Sequence, residues 1–395
     1  MLTWFRRRSQ VRSARRTVNL ASSLVQQLES RTLLAATWTV SATGITVNGT
    51  DDPESIAVST DGTNFFVDGV DTTVAILGRD VVTINGRAGD DVLTLDPSLG
   101  AGFRGFLNGG DDNDTLVGGA GIDRLRGEAG NDSYWGGAGN DEFILDDNEA
   151  DTRGFHGGAG ADSIRGVLFA PGLNLVLNAG HDVEVVHGTD SDDIINLSAS
   201  TTGVLVNGNG GADAITGGVA GDDLRGGAGN DTLRGKGGFD KFNGGDDDDA
   251  IYADTLEDGG AGFTGGLGSD TLRPENPAAA VDWVLGAAGF EIIIGSSLAD
   301  IIDASGSADS VNITGGLGAD LLIGGTAGDF INGSGGNDTI IGGLGADDLR
   351  GGGDDDLLYA NNLANDDDGD VDRLYGNAGA DTLFGSIADG DILNA

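Results

Sequence analysis

Residues Gly208 to Tyr252 divide into five nine-residue units in unbroken register: GNGGADAIT, GGVAGDDLR, GGAGNDTLR, GKGGFDKFN and GGDDDDAIY. Each unit places an acid at position six and, with one drift to Phe242, an aliphatic residue at position eight. A fixed period with one carboxylate and one core residue per unit describes a stack of turns. Gly interrupts every window after residue 37, so helix is excluded from the body of the chain.

Two further runs share the period. Gly109–Ile144 reads GGDDNDTLV, GGAGIDRLR, GEAGNDSYW, GGAGNDEFI, and Gly315–Tyr359 reads GGLGADLLI, GGTAGDFIN, GSGGNDTII, GGLGADDLR, GGGDDDLLY. Single copies stand at Gly86, Gly157, Gly265 and Gly376, with less regular ones from Gly188, Gly295, Asp367 and Gly385. A longer period lies over the short one. Gly208–Ala253 matches Gly315–Ala360 at an offset of 107, and twelve-residue inserts at Leu145–His156 and Ala253–Thr264 precede the copies at Gly157 and Gly265. The chain therefore divides into a basic segment (1–36), a lead-in of alternating strands (37–78) and three repeat modules at 79–187, 188–294 and 295–395. The apolar stretches Leu173–Gly188 and Val281–Gly295 lack the Gly-Asp turn and read as longer coils or small joining sheets, not flexible spacers.

Charge narrows the chemistry. The 395 residues hold 64 acids against 21 Lys and Arg, a net charge of −43, with 73 Gly, five Pro and no Cys. Glu occurs nine times, so 55 of the 64 acids are Asp, the shorter carboxylate and the better turn residue. Such a charge opposes compaction unless something cancels it. Nucleic acid is excluded as a partner, because phosphate binding needs a basic surface. Without Cys there is neither a disulfide nor a thiolate metal site. No apolar run after the N-terminus approaches the ~18 residues of a membrane-spanning helix.

In GGAGNDTLR (Gly226–Arg234) the first six residues tolerate positive φ and form a tight turn. The last three alternate polar–apolar–polar, a short strand with one inward side chain. Two units make a coil, and coils stack about 4.8 Å apart by parallel pairing. Residues 18 apart then lie above one another, which puts Asp213, Asp231 and Asp249 on one edge and Asp222 and Asp240 on the other. Such a file repels itself. A hard cation between successive turns removes the repulsion. Calcium accepts six to eight carbonyl and carboxylate oxygens at ~2.3–2.6 Å, whereas magnesium demands strict octahedral geometry and zinc prefers His or Cys. The inward aliphatics, Leu224, Leu233, Ile251, Leu322, Ile331, Ile340, Leu349 and Leu358, form the core. One per nine residues is thin, so metal binding has to supply folding free energy. The competing reading is a metal-free β-helix whose Asp side chains only cap turns.

The units follow G-G-x-G-x-D-x-U-x and resemble the hemolysin-type (RTX) calcium-binding nonapeptide. The resemblance implies an all-β fold, a right-handed parallel β-roll that orders on binding calcium, usually outside the cell. Its ligand position falls on Asp114, Asp123, Asp132 and Asp141; on Asp213, Asp222, Asp231, Asp240 and Asp249; on Asp320, Asp329, Asp338, Asp347 and Asp356; and, in the single copies, on Asp162, Asp270, Asp372 and Asp381. Position four departs from Gly at Asp112, Ala220, Asp247, Ala327 and Asp354, so those turns are expected to be strained or differently ligated. The Gly385 unit has Gly390 at position six and is assigned no site.

The N-terminus combines Arg6, Arg7, Arg8, Arg12, Arg15 and Arg16 with Val18, Ala21, Leu24, Val25 and Leu28 at helical spacing. It reads as an export segment, although Gln26, Gln27, Glu29 and Arg31 interrupt a standard apolar region. LESRTLLAA (Leu28–Ala36) resembles the LEPRxLL segment of extracellular proteins of planctomycete-type bacteria, with Ser30 in place of Pro. Catalytic motifs are missing: the three His form no HExxH, and neither a GxSxG elbow nor a P-loop occurs. His181-Asp182-Val183-Glu184 reads as a surface loop. The sequence thus predicts a secreted or cell-surface, non-enzymatic protein that binds several calcium ions and stiffens, with an envelope or matrix polysaccharide or protein as partner. The alternative is a surface carbohydrate-active β-helix enzyme acting on acidic polysaccharide, since a parallel β-helix can carry paired carboxylates.

Overall fold

The computed structural model describes residues 36–145, 154–167, 172–254, 262–361, 368–386 and 390–395. The basic segment assigned to export falls outside them except for Ala36, as do most of the two inserts.

Successive strands alternate between two faces, and nearly all pair in parallel with the strand one coil away. Register follows the nonapeptide. Leu224 lies between Val206 and Phe242 on one face, and Leu233 lies between Ile215 and Ile251 on the other. Three-residue strands such as Thr232–Arg234 bury only the central side chain, as a period of two requires. The eight predicted core aliphatics are all fully buried, in one file of apolar side chains per face. Burying each contributes about 1.5–3 kcal/mol. Ordering nine backbone residues costs about 1–2 kcal/mol apiece. The core alone does not hold a coil; the ladders and turns must contribute.

Each face changes sheet once. The first begins as a 12-stranded sheet that ends at Phe263–Leu267 and resumes as a 6-stranded sheet from Asp282–Val284. The second begins as a 7-stranded sheet that ends at Phe155–Ala159 and resumes as a 12-stranded sheet from Asn174–Val176. The two breaks lie 108 residues apart (155 to 263, 174 to 282), so the long sequence period is also a structural one. They never coincide. Ser163–Gly166, Val185–His187 and Leu205–Gly210 carry one sheet past the first break, and Thr271–Pro274, Ile292–Ile294 and Asn312–Leu317 carry the other past the second. The stretches Leu173–Gly188 and Val281–Gly295 thus form longer coils of the same stack.

The start of the stack is closed by antiparallel pairs. Thr37–Val40 covers Gly44–Asn48, and Ser55–Thr60, Asn64–Val67 and Val70–Ala75 form a meander. Hairpins on both first strands leave no long parallel edge open to a stray strand.

Candidate metal centre

The position-six acids stand in files along the two edges, each bonded to the next. The N–H of Asp213 donates to Oδ1 of Asp231 (2.8 Å), that of Asp231 to Asp249 (2.8 Å), and that of Asp249 to Asp270 (2.8 Å). The same link joins Asp222 to Asp240, Asp320 to Asp338, Asp338 to Asp356 and Asp329 to Asp347. Asp114 donates to Asp132, Asp123 to Asp141, Asp141 to Asp162, Asp347 to Asp372 and Asp356 to Asp381. All the acids assigned from sequence therefore belong to these files.

The second carboxylate oxygen divides them. Oδ2 of Asp114, Asp141, Asp162, Asp213, Asp231, Asp240, Asp249, Asp270, Asp320, Asp338, Asp347, Asp356, Asp372 and Asp381 is buried and receives no hydrogen bond. A buried carboxylate oxygen without a donor costs free energy unless charge or a proton compensates it. In Asp123, Asp222 and Asp329 that oxygen accepts instead from the N–H of Gly119 (2.6 Å), Gly218 (2.7 Å) and Gly325 (2.6 Å).

Backbone oxygens surround the unpartnered atoms. A Cβ built on Gly226 would collide with Oδ2 of Asp231 and stand 2.7 Å from the carbonyl oxygen of Gly244, one coil on. Gly208 and Gly244 repeat this arrangement with Asp213 and Gly226, and with Asp249 and Gly265. Position one must therefore be Gly, because carboxylate and carbonyl oxygens converge on the space a side chain would fill. At positions two and four the turns reach positive φ: 126° at Gly227, 114° at Gly229, 125° at Gly245 and 76° at Asp247. Among the described residues no three His, Cys, Asp or Glu side chains group to hold a metal by themselves. A shell here has to combine one or two carboxylates with carbonyls. That donor set fits calcium, and fits zinc poorly.

The electrostatics agree. Burial pushes Asp114 and Asp347 up to about 8, and Asp141, Asp213, Asp240, Asp249 and Asp338 to about 7. Burial also raises Asp231, Asp270, Asp320, Asp356 and Asp372 to about 6, and neighbouring acids in the same file add to the rise. Burial thus moves the protonation of these carboxylates from the acid range toward neutral pH.

Several file members escaped the sequence reading. Asp91, in the Gly86 copy, has a buried, unpartnered Oδ2 and accepts at Oδ1 from the N–H of Glu54 (2.7 Å). Its signal was available, since GRAGDDVLT has Asp at position six. Asp193 and Asp300 are rungs in the less regular copies at Gly188 and Gly295. Glu184 and Glu291 end files by accepting from the N–H of Asp162 (2.6 Å) and Asp270 (2.7 Å). In the Gly385 unit Asp391, one residue beyond Gly390, takes the N–H of Asp372 (3.0 Å). The departures at position four separate into two kinds. Asp112, Asp247 and Asp354 adopt the positive φ of the Gly they replace (75–76°), while the backbone at Ala220 and Ala327 stays out of that region.

His181 corrects an expectation. It is not in a surface loop but buried, with Nδ1 accepting from the N–H of Val183 (2.9 Å) and Nε2 facing the Ser200 hydroxyl (2.9 Å). Burial lowers its pKa, so the neutral ring is a packing element.

No curated protein matches the chain. The RTX calcium-binding nonapeptide repeat (4 copies) family matches residues 108–143, 225–259, 314–349, 323–358 and 366–389. These segments cover the first and third runs and the latter part of the second. The chain carries hemolysin-type RTX calcium-binding nonapeptide repeats in each of its three runs, stacked as a parallel β-solenoid.

Proposed function

We propose that this is an exported, non-enzymatic protein of the cell surface or extracellular matrix, whose solenoid sets and stiffens on binding several calcium ions. Its ligands are the acids with an unpartnered Oδ2, from Asp91 and Asp114 through Asp372 and Asp381, together with turn carbonyls. One observation carries the reading: the same buried, unpartnered carboxylate oxygen recurs coil after coil on both edges. Bound calcium supplies the charge that each file lacks and ties adjacent turns together. The residues do the rest. Asp Oδ1 fixes the register through the N–H one coil back, and Gly at position one keeps the space clear. The three modules at 79–187, 188–294 and 295–395 are read as copies of one unit, supported by the sheet breaks 108 residues apart. The basic N-terminal segment supports export, and the rigid, acidic body suits a scaffold for an envelope or matrix polysaccharide or protein.

Equilibrium dialysis of the full chain with metal counted by mass spectrometry tests the calcium reading. Several calcium ions per chain at millimolar calcium, undiminished by equal magnesium, are expected. A chain that retains none, or only one, contradicts it.

A further inference from the structure

Among the described residues, six turns differ from the rest in having a position-six acid with no oxygen to spare. In each of the six, the backbone N–H of position two donates to the carboxylate of position six in the same turn: Thr50 to Glu54, Gly119 to Asp123, Thr189 to Asp193, Gly218 to Asp222, Ser296 to Asp300 and Gly325 to Asp329. At the Gly385 turn, Asp391 at position seven, the last rung of its file, is closed in the same way by the N–H of Ser386 (2.6 Å). The hydroxyls of Thr50, Thr189 and Ser296 donate to the other oxygen as well. None of these six acids has an unpartnered oxygen. Their turns also lack positive φ at positions two and four, whereas position two reaches φ of 70–130° in turns such as those at Asn209, Gly227, Lys236, Gly245, Ser334 and Asn377.

Their placement follows a rule. Oδ1 of five of them accepts from a residue that is not an acid: Gly105, Leu173, Val204, Val281 and Val311 for Asp123, Asp193, Asp222, Asp300 and Asp329. Each of these is the first rung of a file, with an acid on one side only. Glu54 likewise opens the file that runs through Asp91 and Asp114. A cation held between two turns needs donors from both. A first rung has no such turn behind it, so a carboxylate oxygen left open there would be a buried charge with nothing to meet it. The position-two N–H closes it.

We propose that Glu54, Asp123, Asp193, Asp222, Asp300 and Asp329 are metal-free first rungs, positioning residues that start six separate calcium files. The inference rests on the calcium reading above and sharpens it, because three of these acids, Asp123, Asp222 and Asp329, are among the ligands that the resemblance assigns. The breaks between files are then built into the backbone, so the files fill as separate groups.

The test counts calcium in the full chain by equilibrium dialysis and mass spectrometry, comparing Asp222→Asn and Asp329→Asn with Asp231→Asn and Asp338→Asn. The first pair keeps the wild-type count at saturation while its Tm falls, since an amide nitrogen cannot accept from Gly218 or Gly325. The second pair loses at least one ion per chain. Loss of calcium from the first pair equal to that from the second overturns the proposal. Should a first-rung variant fail to fold, anomalous diffraction from calcium-loaded wild-type crystals decides. Peaks are expected beside Asp231 and Asp249, and a peak at coordination distance, about 2.3–2.6 Å, from Asp222 or Asp329 overturns it. A wild-type chain that binds no calcium defeats the functional reading itself, a result distinct from calcium found at first rungs.

Discussion

The backbone N–H of Asp213 donates to Oδ1 of Asp231 at 2.8 Å, one coil on, while Oδ2 of Asp231 is buried without a donor. One side chain thus has two tasks. One oxygen locks the register of neighbouring turns, and the other is the calcium ligand of the function proposed above.

Asp231→Ala removes both. The N–H of Asp213 loses its acceptor, which costs about 1–3 kcal/mol even in chelator. Because Asp231 stands between Asp213 and Asp249, calcium binding weakens at two stacked sites. Calorimetric titration should show two sites affected. The loss of one alone counts against stacking.

Gly226→Ala puts a methyl group where the Asp231 carboxylate and the Gly244 carbonyl converge. The expected penalty is about 1–3 kcal/mol in urea unfolding, with lowered calcium affinity. Gly102→Ala, whose added carbon would meet nothing within 4 Å, is the control and should stay within about 0.5 kcal/mol of wild type. Equal effects would mean that the convergence at Gly226 carries no constraint.

Ile251 is fully buried between Leu233 and Leu272 in its file. Ile251→Ala is expected to cost about 2–5 kcal/mol in calcium-saturated protein. A cost below 1 kcal/mol would show that the edges, not the core, hold the coils.

Acidity should act in opposite directions on folding and on binding. Burial lifts Asp114 and Asp347 to about 8 and Asp213, Asp249 and Asp338 to about 7, all above the value of 3.8 in an unfolded chain. The calcium-free fold therefore binds more protons than the unfolded chain. This contribution is fully present below about pH 4 and is lost as pH rises through about 6 to 8. Calcium needs the deprotonated acid, so its affinity rises over the same window. Chelated protein should melt higher at pH 4.5 than at pH 8.5, and calcium should bind more tightly at pH 8.5. A chelated protein that gains stability toward pH 8.5 contradicts the burial of these acids.

Much of this arrangement was legible in the sequence because the nonapeptide fixes both alternation and stacking. Position eight named Leu233 and Ile251 as core, and the 18-residue spacing put Asp213, Asp231 and Asp249 on one edge and Asp222 and Asp240 on the other. What stayed hidden depends on backbone direction. Asp222 and Asp231 occupy the same motif position, yet only Asp222 is closed by its own turn, because the Gly218 N–H points inward. Ala220 and Asp247 are equal departures from Gly, but only Asp247 takes up positive φ, which Asp tolerates better than Ala. Glu184 and Glu291 end their files through a longer side chain that no nonapeptide position announces, and a one-residue shift hides Asp391.

Far-UV circular dichroism of the full chain, recorded from chelator to millimolar calcium with a melt at each end, tests the central claim most directly. The account predicts a calcium-dependent gain of β-sheet signal and a cooperative transition that moves to higher temperature. Identical spectra and identical melting in chelator and in calcium would contradict it.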